Sequence, residues 1–465
     1  SMGALAVMDN YPEKASKVLE TALRSIEYSL PVYAPDGGWT ESVLYWGYGG
    51  FPLVSMLASL EATVGKSYGY TDYPPLSHTA DFMQAMKGIG GYFNFGDCAD
   101  HEISSANVSW LSKRYSDDKN AAFRQTEIFN GNAAVSFFDL AYLPAETVAD
   151  GNRSLDKYFG GVETGMMRSG YSEDDSYLGY HCGSNLDGHM NYDSGCFVFD
   201  ALGTRWICDL GRDNYTIPNY GPGTAENPPT AYRVRAEGNN VYVINPDKSA
   251  GQQLETPNQS LTEKNSAYDE SYAIVDISDS YADAADSAKR GYALINGRKT
   301  AVICDEIELK NKTAESEFYS FFHTQAEAEI SGNTAYLRRN GETVKFEFIS
   351  NQPLELTVMD AHQLDTSPAA DERQYSNSGY RKLALHGNVK GNVNITVRIT
   401  PVSAEASVEP IEYIPLNEWK NQYCTEMIAS KFIHGDTVYF QKNMTTDKIK
   451  NMLAPDNVNA LTVYD

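Results

Sequence analysis

Apolar residues in the first part of the chain recur at helical spacing. Between Asn10 and Leu30 they occupy positions 15, 18, 19, 22, 23 and 26, and Pro12 lies where a first helical turn tolerates proline. Similar patterns predict helices over residues 41–65, 77–88, 105–115 and 121–143, separated by clusters of Gly, Pro and Asp. The first part of the chain is therefore expected to be all-helical.

After about residue 160 the pattern changes to short runs of β-branched and aromatic residues, such as NVYVIN, YAIVDIS, TAVICDEIEL and TVKFEFI. Asn296-Gly297 and Asn340-Gly341 each lie between two such runs. Asn-Gly is the strongest short-range signal for a β-hairpin. This part of the chain is expected to be a large antiparallel β domain, built as a sandwich of two packed sheets.

The change of pattern predicts a multidomain α+β protein with three regions. Residues 1–155 form the helical region, residues 156–401 the β-sandwich, and residues 402–465 a linker followed by a small C-terminal module. In that last region TVYF and LTVYD predict strands, and a helix is expected near TTDKIKNML.

Composition excludes some functions. The 465 residues include 37 Lys and Arg against 62 Asp and Glu, a net charge of −25, which argues against a nucleic-acid partner because such proteins need a basic face. No apolar run approaches the ~20 residues that a membrane helix requires, so no membrane span is expected. The six cysteines lie far apart without a CxxC pair and are expected to be buried thiols.

The densest group of polar and aromatic residues lies between Tyr180 and Phe197. If this segment is a strand, His189, Asn191 and Asp193 face the same way, because side chains alternate along a strand. Such a trio can bind a metal or move protons. The alternative is a polar loop whose side chains satisfy their own backbone.

A second candidate segment runs from Asp36 to Gly49. Glu41 suits a helix start, and Tyr45 and Tyr48 then lie on one face of that helix. An aromatic stripe at this spacing is more often core than active site. The glycine-rich surroundings and the nearby Trp39 instead favour a cleft that binds sugar rings.

Together these segments resemble the heparinase II/III-like polysaccharide lyases. The 180–197 segment resembles the family's H-x-H-x-D-x-G-S-F signature, and the 36–49 segment its D-G-x-x-x-E-x-x-x-Y helix entry. Residues 232–246 are similar to its R-x-x-x-x-H-N-T segment, residues 289–310 to its R-G plus D-E hairpin, and residues 318–324 to its strand ending in His-Thr. The five motifs occur in the family's order, from about residue 3 to residue 401.

The resemblance implies an α/α toroid, here incomplete, followed by an antiparallel β-sandwich. It also implies β-elimination on a polysaccharide that contains uronic acid, a glycosaminoglycan- or alginate-like substrate. Tyr45 matches the catalytic tyrosine and His189 the catalytic histidine, with Tyr48 as the second choice for the tyrosine. A phenol with its ordinary pKa of about 10 is a poor base at pH 7, so Arg233, Arg235 or His189 is expected to lower that pKa.

Further residues are expected to contact the substrate. They are Trp39, Glu41, Tyr48, Tyr215, Tyr220, Arg233 and Arg235. Lys and Arg are only scattered through the helical region, which favours a weakly sulfated or unsulfated acidic polysaccharide. A secreted, periplasmic or cell-surface location follows from such a substrate.

The family's metal site is altered in this sequence. Three positions that hold zinc in some relatives are occupied by Asn191, Asp209 and Asn239. Zinc prefers imidazole and thiolate, so this set is poor for zinc and better suited to a harder ion such as Ca²⁺. A structural Zn or Ca ion is therefore a doubtful expectation here.

The family's uronate-neutralising Asn or His is expected on a helix just before the segment that this sequence begins with. The site written in these 465 residues is accordingly expected to be only part of the family's site. One alternative is a non-catalytic glycan-binding or scaffold protein that keeps the lyase fold. A hydrolase ranks last, because Glu41 has no obvious carboxylate partner.

Overall fold

The computed structural model describes residues 1–99, 103–149, 153–221, 228–248, 252–257, 260–403 and 409–424, together with the backbone of three strands beyond residue 425. Helices come first along the chain and antiparallel sheets follow. This confirms the predicted order of a helical region followed by β structure.

Helices occupy most of the first 142 residues. The α-helices are α1 (Met2–Val7), α2 (Pro12–Ser29), α3 (Ser42–Val64), α4 (Pro74–Ala85), α5 (Asn107–Tyr115), α6 (Asp118–Phe129) and α7 (Phe137–Tyr142). The single helix predicted over residues 121–143 is two, because Ser136 and Asp139 form a capping box that starts α7. A short hairpin, β1 (Lys87–Gly88) and β2 (Gly91–Tyr92), follows α4.

Helix α3 is long and apolar enough to cross a membrane by length and composition alone. From the sequence, no segment able to span a membrane was expected. Within its most apolar window, however, 67% of the residues are buried inside the protein. Leu44, Trp46, Leu57 and Leu60 of this helix belong to the core of the helical region. The burial accounts for its apolar composition as a core helix.

A five-stranded antiparallel sheet follows the helices, with its strands in sequence order. The strands are β3 (Asp156–Phe159), β4 (Thr164–Arg168), β5 (Tyr177–His181), β6 (Phe197–Ala201) and β7 (Thr204–Ile207). One core joins this sheet to the helices, since Phe82 of α4 lies edge to face with Phe159 of β3, at 5.1 Å between ring centroids. The sheet thus connects the helical region to the rest of the β structure.

Two further sheets pack face to face. Their strands are β8 (Tyr242–Ile244), β9 (Ser260–Ser266), β10 (Ser271–Asp276), β11 (Ala285–Ile295), β12 (Thr300–Leu309), β13 (Ser316–Thr324), β14 (Glu327–Ser331), β15 (Thr334–Arg339), β16 (Glu342–Ser350), β17 (Glu355–Asp360), β18 (Arg381–Val389) and β19 (Asn392–Pro401). The eight-stranded sheet has the order β14-β15-β16-β19-β12-β11-β10-β9, and the four-stranded sheet β17-β18-β13-β8. Tyr292 and Ile303 of the first sheet share a core with Phe318 and Leu383 of the second, as a sandwich requires.

Both predicted hairpins are present. Asn340 and Gly341 form a two-residue turn between β15 and β16, and both have positive φ, as a type I′ turn needs. Asn296 and Gly297 lie between β11 and β12 and also have positive φ.

The described part of the C-terminal region packs on the eight-stranded sheet. Helix α8 (Trp419–Gln422) places Trp419 and Leu416 over Gly291, where any Cβ would lie within 2.5 Å of side-chain atoms. The backbone of β20 (Glu426–Lys431), β21 (Asp436–Gln441) and β22 (Leu461–Val463) forms a separate three-stranded sheet. The helix predicted near residues 445–453 lies outside the described residues.

All six cysteines are buried thiols, as the sequence predicted.

Candidate active site

The site forms where a helical tyrosine meets a histidine from the β structure. Tyr45 lies in the first turn of α3, and His189 lies in the loop between β5 and β6. Their rings stack with centroids 3.8 Å apart and an angle of 18° between the planes. The two residues that the family resemblance paired as acid and base are therefore in direct contact.

His189 is not part of a strand, which corrects the expectation that His189, Asn191 and Asp193 share one face. The segment from residue 182 to residue 196 is a loop, and His189 has a φ of 62°, in the left-handed region. Its side chain is 38% exposed, whereas Asn191 and Asp193 are fully buried. The loop turns the histidine toward the cleft and its neighbours toward the interior.

Asp97 contacts both the backbone and the imidazole ring of His189. Its backbone N–H donates to the His189 carbonyl at 2.8 Å, and its Oδ2 lies 3.6 Å from the Nδ1 of the imidazole. The side chain is nearly buried, at 3% exposure. The preceding Gly96 has a φ of 65°, and a Cβ there would lie 2.8 Å from the His189 carbonyl oxygen. The close approach of the two segments accounts for glycine at this position.

Two more tyrosines complete the cluster. The Tyr215 hydroxyl makes a hydrogen bond with the Tyr45 hydroxyl and lies 3.4 Å from Nδ1 of His189. Tyr220 donates its hydroxyl proton to Asp97 at 2.6 Å and packs edge to face against Tyr215. Both residues were expected to contact substrate, and both lie at the Tyr45–His189 pair.

The other candidates of the 36–49 segment line the same region. Trp39 donates its indole N–H to the Glu41 carboxylate at 3.3 Å. The Glu41 Oε1 lies 3.0 Å from the Cβ position of Gly188, next to His189. The Tyr48 ring centroid is 6.1 Å from that of Tyr45, and Tyr48 is 62% exposed. Tyr48 therefore borders the site, but Tyr45 alone stacks on the histidine.

Burial raises the pKa of Tyr45 above its ordinary value, and the charges of Asp97 and Glu41 add to the increase. The Tyr215 hydrogen bond and the positive charge of Arg212 only partly oppose these effects. The expectation of a lowered tyrosine pKa is thus not met. A neutral phenol at pH 7 is a proton donor.

The pKa of His189 is raised, chiefly by its interaction with Asp97 and also by the charge of Glu41. Burial raises the pKa of Asp97, against hydrogen bonds from His189 and Tyr220 that lower it. The imidazole therefore titrates above its ordinary value of about 6.5.

The two predicted substrate-binding arginines do not reach this cluster. The Arg233 guanidinium links two distant segments, donating to the carbonyls of Leu210 and Arg212 and to the side chain of Asn377. Arg235 is fully buried and paired with Glu237 at 2.9 Å. Both guanidinium groups are therefore engaged in structural contacts. The cation whose charge reaches Tyr45, Tyr215 and Asp97 is Arg212.

The three residues expected to hold a metal are all buried, and their side chains differ in their partners. The Asn239 amide donates to the carbonyls of Arg233 and Arg235, which ties that side chain to its own loop. Asn191 is fully buried, and neither atom of its amide has a hydrogen-bond partner. Among the described residues the potential ligands that converge on Asp209 are Asp193 and Cys196.

Comparison with known proteins finds likeness in structure alone. No family model matches the sequence, and no curated protein matches it. Among solved structures, heparinase III superposes with a TM-score of 0.61 at 13% identity, over 94% of this chain and 65% of that one. The chain has the fold of heparinase III.

Two further structures agree with this result. The heparan sulfate lyase HepC from Pedobacter heparinus has a TM-score of 0.60 at 13% identity, over 86% of this chain and 58% of that one. The heparinase III-BT4657 gene product has a TM-score of 0.60 at 13% identity, over 94% of this chain and 64% of that one. The chain thus spans less than two thirds of the length of each of these three structures.

Four residues of this cluster were expected from the sequence: Tyr45, His189, Tyr215 and Tyr220. Asp97 and Arg212 were not. Asp97 lies between β2 and α5, in a segment without regular periodicity, and it meets His189 only through the fold. The sequence signal available was modest: a run of Gly, Asp and Asn residues over positions 94–100 between helical patterns.

Proposed function

We propose that this protein is a polysaccharide lyase that cleaves a glycan containing uronic acid by β-elimination. The observation that carries the proposal is the stacked pair of Tyr45 and His189, formed where the helical region meets the β structure. The fold it shares with heparinase III and with a heparan sulfate lyase supports the same reaction class. Fold alone does not define an activity, so the site carries the argument.

The reaction needs a base and an acid close together. The base removes the proton at C5 of the uronate, the electron pair forms the C4–C5 double bond, the C4–O4 bond breaks, and the acid protonates the departing O4. Neutralising the C6 carboxylate makes the C5 proton more acidic. The products are a new reducing end and an unsaturated uronate, with no water consumed.

Tyr45 and His189 divide these roles because an imidazole ordinarily loses its proton at a lower pH than a phenol, and the pKa of Tyr45 is raised further. Tyr45, whose pKa is raised, remains a neutral phenol at pH 7 and donates its proton to O4. His189 in its neutral form removes the C5 proton, with Asp97 orienting the imidazole and stabilising the imidazolium that results. The hydroxyl of Tyr215 bridges the two groups and can pass the proton between them.

Arg212 is the described cation best placed to attract the uronate carboxylate. Its guanidinium carbon lies 5.8 Å from the centroid of the Tyr215 ring, and its charge acts on Tyr45 and Asp97 as well. One local cation within an overall charge of −25 favours a weakly sulfated or unsulfated polymer over a heavily sulfated one. Exposed aromatic rings such as Tyr48 supply sugar-stacking surfaces beside it.

Single-hydroxyl variants test the assignment. Tyr45→Phe keeps the ring on His189 but removes the acidic proton, so kcat is expected to fall by about 10²–10⁴-fold. Tyr48→Phe removes a neighbouring phenol on the same helix, and kcat is expected to stay within about threefold of the parent value. Ultraviolet absorbance of the unsaturated uronate reports both rates, with chondroitin, hyaluronan, unsulfated heparosan-type chains and alginate as substrates.

The result that would reject the assignment is equal loss in both variants, or no loss in Tyr45→Phe. Glycan binding without turnover, unchanged in Tyr45→Phe and His189→Ala, would instead support the non-catalytic binding protein.

A further inference from the structure

A second polar cluster lies in the interior, behind the loop that carries His189. The Asp193, Cys196 and Asp209 side chains each place one potential ligand atom within 4.8 Å of the others, and all three residues are buried. The Cys196 Sγ lies 3.9 Å from Oδ2 of Asp209. The charged forms of these three groups would repel one another, so the cluster needs a proton or a cation.

The guanidinium of Arg290, which contacts the Gly195 carbonyl beside Cys196, is already committed to another partner. Arg290 forms a bidentate pair with Asp305, at 2.6 and 2.9 Å, and its third nitrogen donates to the carbonyls of Gly195 and Asn240. It therefore neutralises Asp305 instead of the cluster.

A buried imidazole at the edge of the cluster presents a bare lone pair. The Thr164 hydroxyl donates its one proton to the Val162 carbonyl at 3.0 Å, so it must accept from Nδ1 of His181 at 2.6 Å. The proton of the neutral ring is then on Nδ1, and Nε2 is left as an acceptor. That Nε2 has no partner, lies 4.0 Å from Oδ1 of Asp193, and belongs to a residue with 1% exposure.

The Asp193 atom that faces the imidazole is equally without a partner. Asp193 uses its Oδ2 to accept from the Gly96 N–H at 3.0 Å, whereas its Oδ1 is buried and accepts no hydrogen bond. An imidazole lone pair and a carboxylate lone pair thus face each other, in a region where an unmade hydrogen bond costs about 1–3 kcal/mol. The Asn191 amide, also buried and without a partner, adds two more unsatisfied atoms.

We propose that Asp193, Cys196 and Asp209, with His181 at the fourth position, bind one divalent transition-metal ion, most simply Zn²⁺. Thiolate, imidazole and carboxylate together suit zinc and not the oxygen-preferring Ca²⁺. In a tetrahedral site with bonds of about 2.0–2.3 Å, neighbouring ligand atoms lie about 3.3–3.8 Å apart. The Cys196–Asp209 and His181–Asp193 separations of 3.9 and 4.0 Å are close to that range. His181 is not among the residues whose ligand atoms all lie within 4.8 Å of one another, so its ring has to move toward the other three ligands to complete the site.

This set differs from the one that the family resemblance implied. It keeps Asp209 but uses Asp193, Cys196 and His181 in place of the two asparagines, one of which is bound to its own loop. Thr164 is the outer partner that fixes the tautomer of the ligating histidine, a common feature of metal sites. Asp209 also lines a surface cavity, which provides a route from solvent for the ion.

The ion would act on structure and not on the elimination. Asp193 and Cys196 end the loop that carries His189, and Gly96 joins Asp193 to the segment that carries Asp97. A bound ion would therefore fix the position of His189 relative to Asp97. The proposal does not depend on the lyase activity, because metal binding is measured directly.

The test loads the full chain, after removal of metal with a chelator, with Zn²⁺ or Co²⁺. One equivalent per chain is expected by mass spectrometry of the elements. Zinc X-ray absorption of the unmutated protein should show one sulfur at about 2.3 Å and nitrogen or oxygen at about 2.0–2.2 Å. The cobalt form should absorb in the near ultraviolet through thiolate-to-metal charge transfer.

Matched cysteine variants locate the sulfur ligand. Cys196→Ser is expected to abolish the charge-transfer absorption and to weaken metal binding at least tenfold. Cys304→Ser, at a buried cysteine between the eight-stranded sheet and the C-terminal segment, should retain both. If Cys196→Ser does not fold, the zinc X-ray absorption spectrum of the unmutated protein shows on its own whether sulfur is a ligand. Less than about 0.1 equivalent of bound metal per chain, or a metal shell without sulfur, would overturn the proposal.

Discussion

At the scale of single residues, the candidate site depends on contacts between distant parts of the chain. Tyr45 was identifiable from its helical segment and His189 from its motif, but their stacking and the support from Asp97 exist only in the folded protein. For Arg233 and Arg235 the sequence suggested a role in substrate binding that their contacts do not support. Their positions suggested free cations, yet local folding turned each toward carbonyl or carboxylate partners. Sequence position alone does not reveal which charges are already paired.

Asp97→Asn tests the proposed support of His189. The carboxylate favours the protonated imidazole, so its neutral isostere should lower the pKa of His189 and move the acid limb of kcat/KM to lower pH. The partial exposure of the imidazole to solvent limits the size of this displacement. Initial rates measured across the acid range provide the comparison.

Asp187→Asn is the matched control, because Asp187 is a half-buried carboxylate two residues from His189, whereas the carboxylate that faces the imidazole in the described part of the chain is Asp97. Its acid limb should remain at the parent position. An unchanged limb in Asp97→Asn would show that Asp97 serves only to hold the loop.

At the scale of elements, hydrophobic periodicity was sufficient for the helices and for both Asn-Gly hairpins, since each depends on local spacing and turn chemistry. It failed for the loop that contains His189. There the alternation of polar residues mimics a strand, but the buried side chains of Asn191 and Asp193 and the left-handed backbone of His189 make it a loop. The structure of such a segment depends on what packs behind it.

Gly96→Ala tests the close approach of the 94–98 segment to that loop. The added methyl group would meet the His189 carbonyl oxygen at 2.8 Å in a backbone conformation that alanine disfavours. A loss of about 2–4 kcal/mol in unfolding free energy is expected, from backbone strain of about 1–3 kcal/mol plus the displacement of the carbonyl. Urea unfolding measures it.

Gly131→Ala isolates the backbone contribution. Gly131 has a similar φ of 73°, but a Cβ there would meet nothing within 4 Å. It should cost only about 1 kcal/mol. Equal losses in the two variants would contradict the steric part of the argument.

At the scale of the whole molecule, the order of helices before antiparallel sheets was predictable from the change in periodicity. The division of the β structure between residues 156 and 401 into three sheets was not, because strand runs do not reveal which strands pair across long connections. The domain boundaries at residues 155 and 401 stay predictions. The charge of −25 remains consistent with a site that relies on one local cation and on aromatic rings.

Buried histidines make the stability of the whole fold depend on pH. Burial lowers the pKa of His323 well below its ordinary value, with the charges of Lys382 and Arg233 adding to the effect. The unfolded chain therefore takes up the proton first, near pH 6.5, and stability is lost as pH falls below that value, by up to about 1.4 kcal/mol per unit.

His323→Gln is expected to reduce this slope between about pH 6.5 and pH 4.5, because glutamine can replace the hydrogen bonds to Tyr232 and Asn240 without titrating. It will not abolish the slope, since burial also lowers the pKa of His181 to about 3. His78→Gln, at an exposed position, should leave the slope unchanged. Urea midpoints across this pH range measure the three proteins, and identical slopes for the parent and His323→Gln would refute the assignment.

The most direct test of the central claim is the mass of the oligosaccharides that the protein releases from an unsulfated uronic-acid polysaccharide. Elimination predicts products with an unsaturated uronate at the new non-reducing end and no water added, and their loss in Tyr45→Phe. Products that have each gained the elements of water, or no cleavage of any uronate polymer by the unmutated protein, would contradict the account.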